Sequence, residues 1–171
     1  MMQQMWRGFS AGAKRTEHAL RKQRREQRSR SAEGKRRSAE EFQKTMFQVS
    51  VEESFSAGHA LRGYKGKCEN PHGHNYRVRV TLEGPQLDSI GLLVDFTRLK
   101  QLIREIMGRL DHQFMNDLEP FKTVNPSAEN VAKYFYDEVT RQLKDLPPGA
   151  RVTDVTLWET ETSRAQYRPG A

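Results

Sequence analysis

Apolar and polar positions along this chain fall into two textures that meet at Met46. From Met46 onward the pattern is regular. Phe47-Gln48-Val49-Ser50-Val51 alternates apolar and polar, which predicts a half-buried strand running on toward Phe55. Ala57 to Pro71 carries Gly58, Gly63, Gly66 and Pro71 and reads as a loop. Tyr76, Val78, Val80 and Leu82 alternate again, predicting a second strand and a hairpin, and Gly84-Pro85 ends it. Between Asp95 and Leu110 the apolar residues Phe96, Leu99, Leu102, Ile103, Ile106, Met107 and Leu110 recur every three or four positions, which predicts an amphipathic helix. Asn125-Pro126 predicts an N-cap with proline at the first helical position. That helix would bury Val131, Ala132, Phe135 and Val139 and stop at Leu146-Pro147-Pro148-Gly149. Arg151 to Trp158 predicts a third strand, with Val155 and Leu157 on one face and Val152 out of phase, and Gln166-Tyr167 marks a short fourth. The order ββααββ predicts an α+β domain with an antiparallel sheet.

Before Met46 no such period exists. The run Arg21-Lys22-Gln23-Arg24-Arg25-Glu26-Gln27-Arg28-Ser29-Arg30 has no apolar face to bury. Its composition predicts disorder or a solvated helix. The two parts also differ in charge. Residues 1–45 hold 13 Lys and Arg against 5 Glu, leaving 16 basic and 17 acidic side chains for residues 46–171. The formal net charge of +7 therefore belongs to the extension, and the body is nearly neutral. Nucleic-acid binding would rest on residues 1–45 alone, and a merely solvated tail is the favoured reading. The expected division is a basic N-terminal extension, 1–45, and a folded domain, 46–171, with Met46 a candidate for the true translation start.

Met1 to Arg15 lacks the apolar segment of a secretory signal, and Glu17, Glu26, Glu33, Glu40 and Glu41 count against a transit peptide. No window holds about 18 consecutive apolar residues, so no membrane span is expected. The lone Cys68 forms no intrachain disulfide, which agrees with a reducing, cytoplasmic setting. It is either an inert thiol or a reactive one.

Four of the five histidines lie in the folded part: His59, His72, His74 and His112. On a strand, residues i and i+2 share a face, so His72 and His74 project together past Gly73. His59 lies at the end of the strand expected to pair with theirs. Three imidazoles converging with a fourth position open is the arrangement of a catalytic zinc. A histidine pair alone is weak evidence, because surface histidines are common. The third histidine just upstream, and Cys68 four residues before His72, strengthen it.

Several blocks together resemble the 6-pyruvoyltetrahydropterin synthase / 6-carboxytetrahydropterin synthase family. They are Phe55-Ser56-Ala57-Gly58-His59, Cys68-Glu69-Asn70-Pro71-His72-Gly73-His74-Asn75-Tyr76, Leu110-Asp111-His112 with Asn116-Asp117, Asn125-Pro126-Ser127-Ala128-Glu129-Asn130, Trp158-Glu159-Thr160 and Tyr167-Arg168. The resemblance spans residues 46–168 in order; residues 1–45 have no counterpart. It implies a tunnelling fold, a ββααββ subunit whose sheets join into a barrel, in homohexamers with active sites at subunit interfaces. The three residues between Cys68 and His72 resemble the bacterial carboxy-product enzyme that serves queuosine and other deazapurine pathways. The pyruvoyl-product enzyme is the runner-up.

The resemblance implies a zinc ion on His59, His72 and His74 that binds the side-chain hydroxyls of 7,8-dihydroneopterin triphosphate. Cys68 is then the candidate general base, because a thiol titrating near ~8.5 needs a cationic neighbour to ionise. His112 is the proton donor or relay, oriented by Asp111. Neighbouring residues on a regular element point apart, so this pair requires irregular backbone. Without the resemblance, a helix-end Asp-His pair is the simpler reading. Glu159 suits the paired N–H edge of a pterin and a proton relay, where a surface glutamate is the plain alternative. Ser127 and Glu129 are expected to help line the pterin pocket, and Arg62, Lys65 and Lys67 are candidates for the triphosphate. The rival from another class is a non-catalytic module. There Cys68 would close a structural zinc site as fourth ligand, and the basic tail would bind RNA.

Overall fold

The computed structural model describes residues 21–34 and 46–170. The chain divides into two units, Met1–Thr45 and Met46–Ala171. In the first, residues 21–34 form a helix exposed at every position, the solvated alternative expected from its composition. The remaining expectations for residues 1–45 fall outside the described residues. No helix among the described residues is long and apolar enough to cross a membrane.

The second unit has the expected order. Strand β1 (Phe47–His59) pairs antiparallel with β2 (His72–Gly84), β2 with β3 (Arg151–Trp158), and β3 with β4 (Arg164–Tyr167), giving one sheet in sequential order. Helices α1 (Phe96–Met107) and α2 (Ala128–Gln142) follow β2. Helix α1 lies against β1, and α2 against β3 and β4. Tyr76, Val78, Val80 and Leu82 on β2, with Val155 and Leu157 on β3, face Leu99, Ile103 and Ile106 of α1 and Val131, Phe135 and Val139 of α2 in one buried core. The opposite sheet face is polar. There Arg77 and Arg79 sit 4.2 and 4.7 Å from the centre of the Trp158 ring, and Arg79 Nε lies 2.7 Å from Glu52 Oε1.

Two details differ from the sequence expectation and a third, the phase of Val152, is explained, each for a physical reason. Ala57 to His59 belong to β1 rather than a loop, because their register continues unbroken to His59 opposite His72. Val152 is out of phase because Thr81 pairs with Asp154 and Leu82 with Val152. Thr153 is the extra residue of a β-bulge, and the bulge returns Val152 to the core side. Helix α2 is capped by Ser127, not Asn125, and Pro126 precedes the cap. The Asn125 amide is already engaged, accepting from Arg62 N and donating to Arg62 O, both at 2.9 Å. The Ser127 hydroxyl instead accepts from Asn130 N.

The helix layer is joined to the sheet through Phe135, which is fully buried, with its ring 5.6 Å from Phe55 and 5.9 Å from Tyr134. Phe135→Ala should destabilise the domain by about 3–5 kcal/mol through lost burial and the cavity left behind. The shift of the urea unfolding midpoint at constant m-value measures this; a change below about 1 kcal/mol would contradict the packing described.

Candidate active site

Two antiparallel strands of matched register assemble the site. His59 is the direct cross-strand partner of His72, and Ala57 is that of His74. Because side chains alternate along a strand, His59, His72, His74 and Tyr76 share the helix-side face, and Gly58 and Gly73 lie opposite each other on the other face. The three imidazole rings stand 4.4, 5.2 and 5.0 Å apart between centroids. One nitrogen from each lies within 4.8 Å of the other two.

Two of these rings are fixed from behind. His59 Nδ1 is 2.7 Å from the Pro126 carbonyl, and His72 Nδ1 is 2.7 Å from the Asn70 carbonyl. A proton on each Nδ1 leaves Nε2 as a lone pair directed into the cluster, the device by which proteins orient metal-binding imidazoles. His59 Nε2 and His74 Nε2 are buried and have no hydrogen-bond partner. Buried polar atoms are ordinarily paired, so two such nitrogens directed at one point fit a bound cation. Nitrogen donors in this number suit zinc with a position left open. Cys68 is not part of the cluster that closes. It lies half-buried on the 3-10 turn Lys67–Glu69, where its carbonyl accepts from Leu61 N.

Glu159, just past β3, adds the negative charge. Its Oε1 is 3.2 Å from His59 Nε2 and 3.6 Å from His74 Nε2, ion-pair distances without hydrogen-bond geometry. Burial pushes His59 down, but Glu159 and the Pro126 carbonyl outweigh it and raise its pKa above 6.5. Burial prevails at His74, helped by the neighbouring imidazoles, and its pKa is lowered. The His59 contact holds the Glu159 carboxyl below its ordinary value against the opposing effect of burial. Burial, and secondarily Glu159, push the Tyr76 phenol up.

Asp111 and His112 are paired as expected, and the irregular backbone they require is present. His112 has φ of 57°, a left-handed conformation uncommon outside glycine. That turn brings His112 Nδ1 to 3.0 Å from Asp111 Oδ1. The same carboxylate oxygen accepts from Ser56 N at 2.9 Å, and His112 N donates to Ser56 O at 2.6 Å. The Ser56 N–H, followed by His112, holds Asp111 below its ordinary pKa. The chain then runs beside β1, with a parallel bridge between Gly58 and Phe114. An open cleft of about 500 Å³ lies between this segment and β2, with Gly58, Gly73, His74, Asn75 and His112 among its walls. A Cβ on Gly58 would meet the Phe114 ring at 3.3 Å.

Of the remaining expected residues, Ser127 serves as the α2 cap and Glu129 is exposed on its first turn. Arg62 Nη2 donates to the Phe121 and Val124 carbonyls, so its guanidinium is engaged within the chain. Residues without an assigned role in the sequence reading also matter. Asn116 makes two 2.8 Å bonds to the Ala60 backbone, and Asn125 likewise clamps Arg62. Asparagines repeated within the quoted blocks were the available signal. The part played by backbone carbonyls of Asn70 and Pro126 had none.

Residues 48–170 match the model of the family described as "6-pyruvoyl tetrahydropterin synthase". The chain belongs to that family. It is 38% identical over 128 residues to the 6-carboxy-5,6,7,8-tetrahydropterin synthase of Bacillus subtilis, covering 72% of this chain and 86% of the relative. It is 33% identical over 128 residues to the 6-pyruvoyl tetrahydrobiopterin synthase of Dictyostelium discoideum, covering 68% and 91%. The structure of the Caenorhabditis elegans 6-pyruvoyl tetrahydropterin synthase superposes with a TM-score of 0.65 at 30% identity, covering 74% of this chain and 97% of that one. The tunnelling fold expected from the sequence is thereby established.

His72→Ala or His74→Ala should abolish stoichiometric zinc binding while far-ultraviolet circular dichroism stays unchanged, as read by metal analysis of dialysed protein. Imidazoles must be neutral to bind a metal. Because the His59 pKa is raised, protons compete for it already above pH 6.5. Zinc affinity should therefore climb through the neutral range. Glu159→Gln removes the carboxylate that raises His59, so the pH of half-displacement should fall; chelator competition at stepped pH checks this.

Proposed function

We propose that this chain is a zinc-dependent carbon–carbon lyase of the 6-carboxytetrahydropterin type. With one water, it would convert 7,8-dihydroneopterin triphosphate to 6-carboxy-5,6,7,8-tetrahydropterin, acetaldehyde and triphosphate. The observation that carries the reading is the convergence of His59, His72 and His74, with the buried Nε2 atoms of His59 and His74 left without hydrogen-bond partners. Zinc held there would act as a Lewis acid toward the hydroxyls of the substrate side chain.

The chain's own residues then divide the work. Cys68 is the proposed general base, on a loop whose position is set by the Asn116 and Asn125 clamps. Asp111 would orient His112 through Nδ1, leaving Nε2 of that ring as the proposed proton donor or relay. Glu159 would accept paired N–H bonds from the pterin ring. Ser127 and Glu129 are proposed to border the pterin at the start of α2, which the Pro126 carbonyl ties to His59. Lys65 and Lys67, both exposed, are the remaining loop candidates for the triphosphate. The reading includes a cytoplasmic homo-oligomer, a hexamer by family resemblance, in the service of queuosine or other deazapurines. Among the described residues no further strand pairs with β4 or with β1 ahead of Ser56, and these edges suit sheet joining between subunits.

The runner-up is the pyruvoyl product, formed by eliminating triphosphate without carbon–carbon cleavage. It is supported by the relatives carrying that name. The three-residue gap between Cys68 and His72 favours the carboxy product. A non-catalytic zinc module is disfavoured, because Cys68 lies outside the imidazole cluster.

Incubation of the purified protein with dihydroneopterin triphosphate should yield acetaldehyde and the carboxypterin by mass spectrometry. Pyruvoyl product without acetaldehyde would transfer the assignment to the runner-up. Cys68→Ala should keep zinc and lose at least about 100-fold in turnover, in line with the loss of a general base. Joint loss of zinc and fold would restore the structural reading of this thiol. Deleting residues 1–45 should leave the turnover number intact.

A further inference from the structure

Among the described residues, three buried side-chain polar atoms have no hydrogen-bond partner: His59 Nε2, His74 Nε2 and the Tyr76 hydroxyl. All three belong to one wall. A cation accounts for the two nitrogens. A cation held by the imidazoles leaves the phenol without a partner.

Tyr76 is two residues beyond His74 on the same face of β2 and is fully buried. Its ring stands edge-on to both imidazoles, 5.9 Å from His59 at 86° and 5.5 Å from His74 at 68°. Phe55 stacks on it at 5.1 Å with the planes 19° apart. Packing on these sides leaves the ring little freedom, and a phenylalanine would fill the same space. The hydroxyl adds nothing to that packing and costs stability while it stays unpaired. A buried O–H retained under those terms is explained by a partner that arrives with the ligand.

We infer that Tyr76 is a positioning residue whose hydroxyl donates a hydrogen bond to the oxygen ligand that completes the coordination of a metal held by His59, His72 and His74. The inference rests on the metal reading given under Proposed function. A phenol is protonated at neutral pH and offers one donor. The class of ligand it selects is therefore an oxygen with a free lone pair, water in the resting protein and a side-chain hydroxyl of a pterin when one is bound. Pterins that lack side-chain oxygen gain nothing from it.

The test uses the full chain loaded with cobalt(II), comparing wild type with Tyr76→Phe. Three quantities are read: the visible cobalt absorption, the dissociation constants of neopterin and of unsubstituted pterin, and the melting temperature of the metal-free protein. The variant should melt no lower than wild type, show a displaced cobalt band, and bind neopterin about 5- to 10-fold more weakly, the loss of one hydrogen bond. Its affinity for unsubstituted pterin should be unchanged. An unmoved cobalt band together with unmoved neopterin affinity would overturn the inference and leave the metal reading standing. A variant that fails to fold or melts well below wild type would also overturn it, by showing that the hydroxyl has a structural partner. Wild type that takes up no cobalt would remove the metal reading itself, and the inference with it.

Discussion

The cross-strand register that sets His59 opposite His72 is the constraint on which the site depends. A strand pair has a side-chain period of two, so this one alignment places His59, His72, His74 and Tyr76 on the same face. A slip of one residue would turn one strand's set to the far face. The register is fixed at a distance from the site by the apolar residues of β1 and β2 that face the helices. Val51 opposite Val80 and Phe55 opposite Tyr76 are all buried, so a one-residue slip would expose one strand's apolar set. The hydrophobic core thus specifies the imidazole geometry and meets it at Tyr76.

What surrounds the imidazoles is held by a different device. Between β1 and β2 the chain crosses a glycine-containing loop, and its first residues are clamped by side-chain amides instead of a core. Asn116 holds Ala60, and Asn125 holds Arg62. Each amide supplies both a donor and an acceptor to one residue's backbone, as a neighbouring strand would. The Asp111-His112 turn is anchored in the same way through the Ser56 backbone. These contacts connect segments more than 50 positions apart in sequence, and so the loop that carries Cys68 is positioned by the segments between the two helices.

These two devices differ in how readable they are. The strand alternation, the spacing of α1 and the pairing of His72 with His74 are local periods, and each is legible from neighbouring residues. The convergence of His59 followed once a hairpin was assumed. The left-handed turn at His112 was legible only as a requirement, since Asp111 and His112 had to meet. Other features were not legible at all. The cap of α2 moved from Asn125 to Ser127 because a residue 63 positions away claims the asparagine amide. The β-bulge at Thr153 showed only as Val152 falling out of phase. Backbone carbonyls that orient His59 and His72 carry no side-chain identity, so no pattern of residue types announces them.

Glu159 gives these parts a common electrostatic logic. Its carboxylate faces the same two nitrogens that the proposed cation would take, 3.2 and 3.6 Å away. It raises the pKa of His59, so it favours the protonated ring that a cation must displace. Carboxylate and cation therefore compete for His59 through the proton. If a cation enters and the imidazoles turn neutral, the carboxylate loses its cationic partner and becomes available to other N–H donors. On the proposed reading the pterin ring edge supplies them. Metal binding and recognition of the ring would then be linked through one side chain, Glu159.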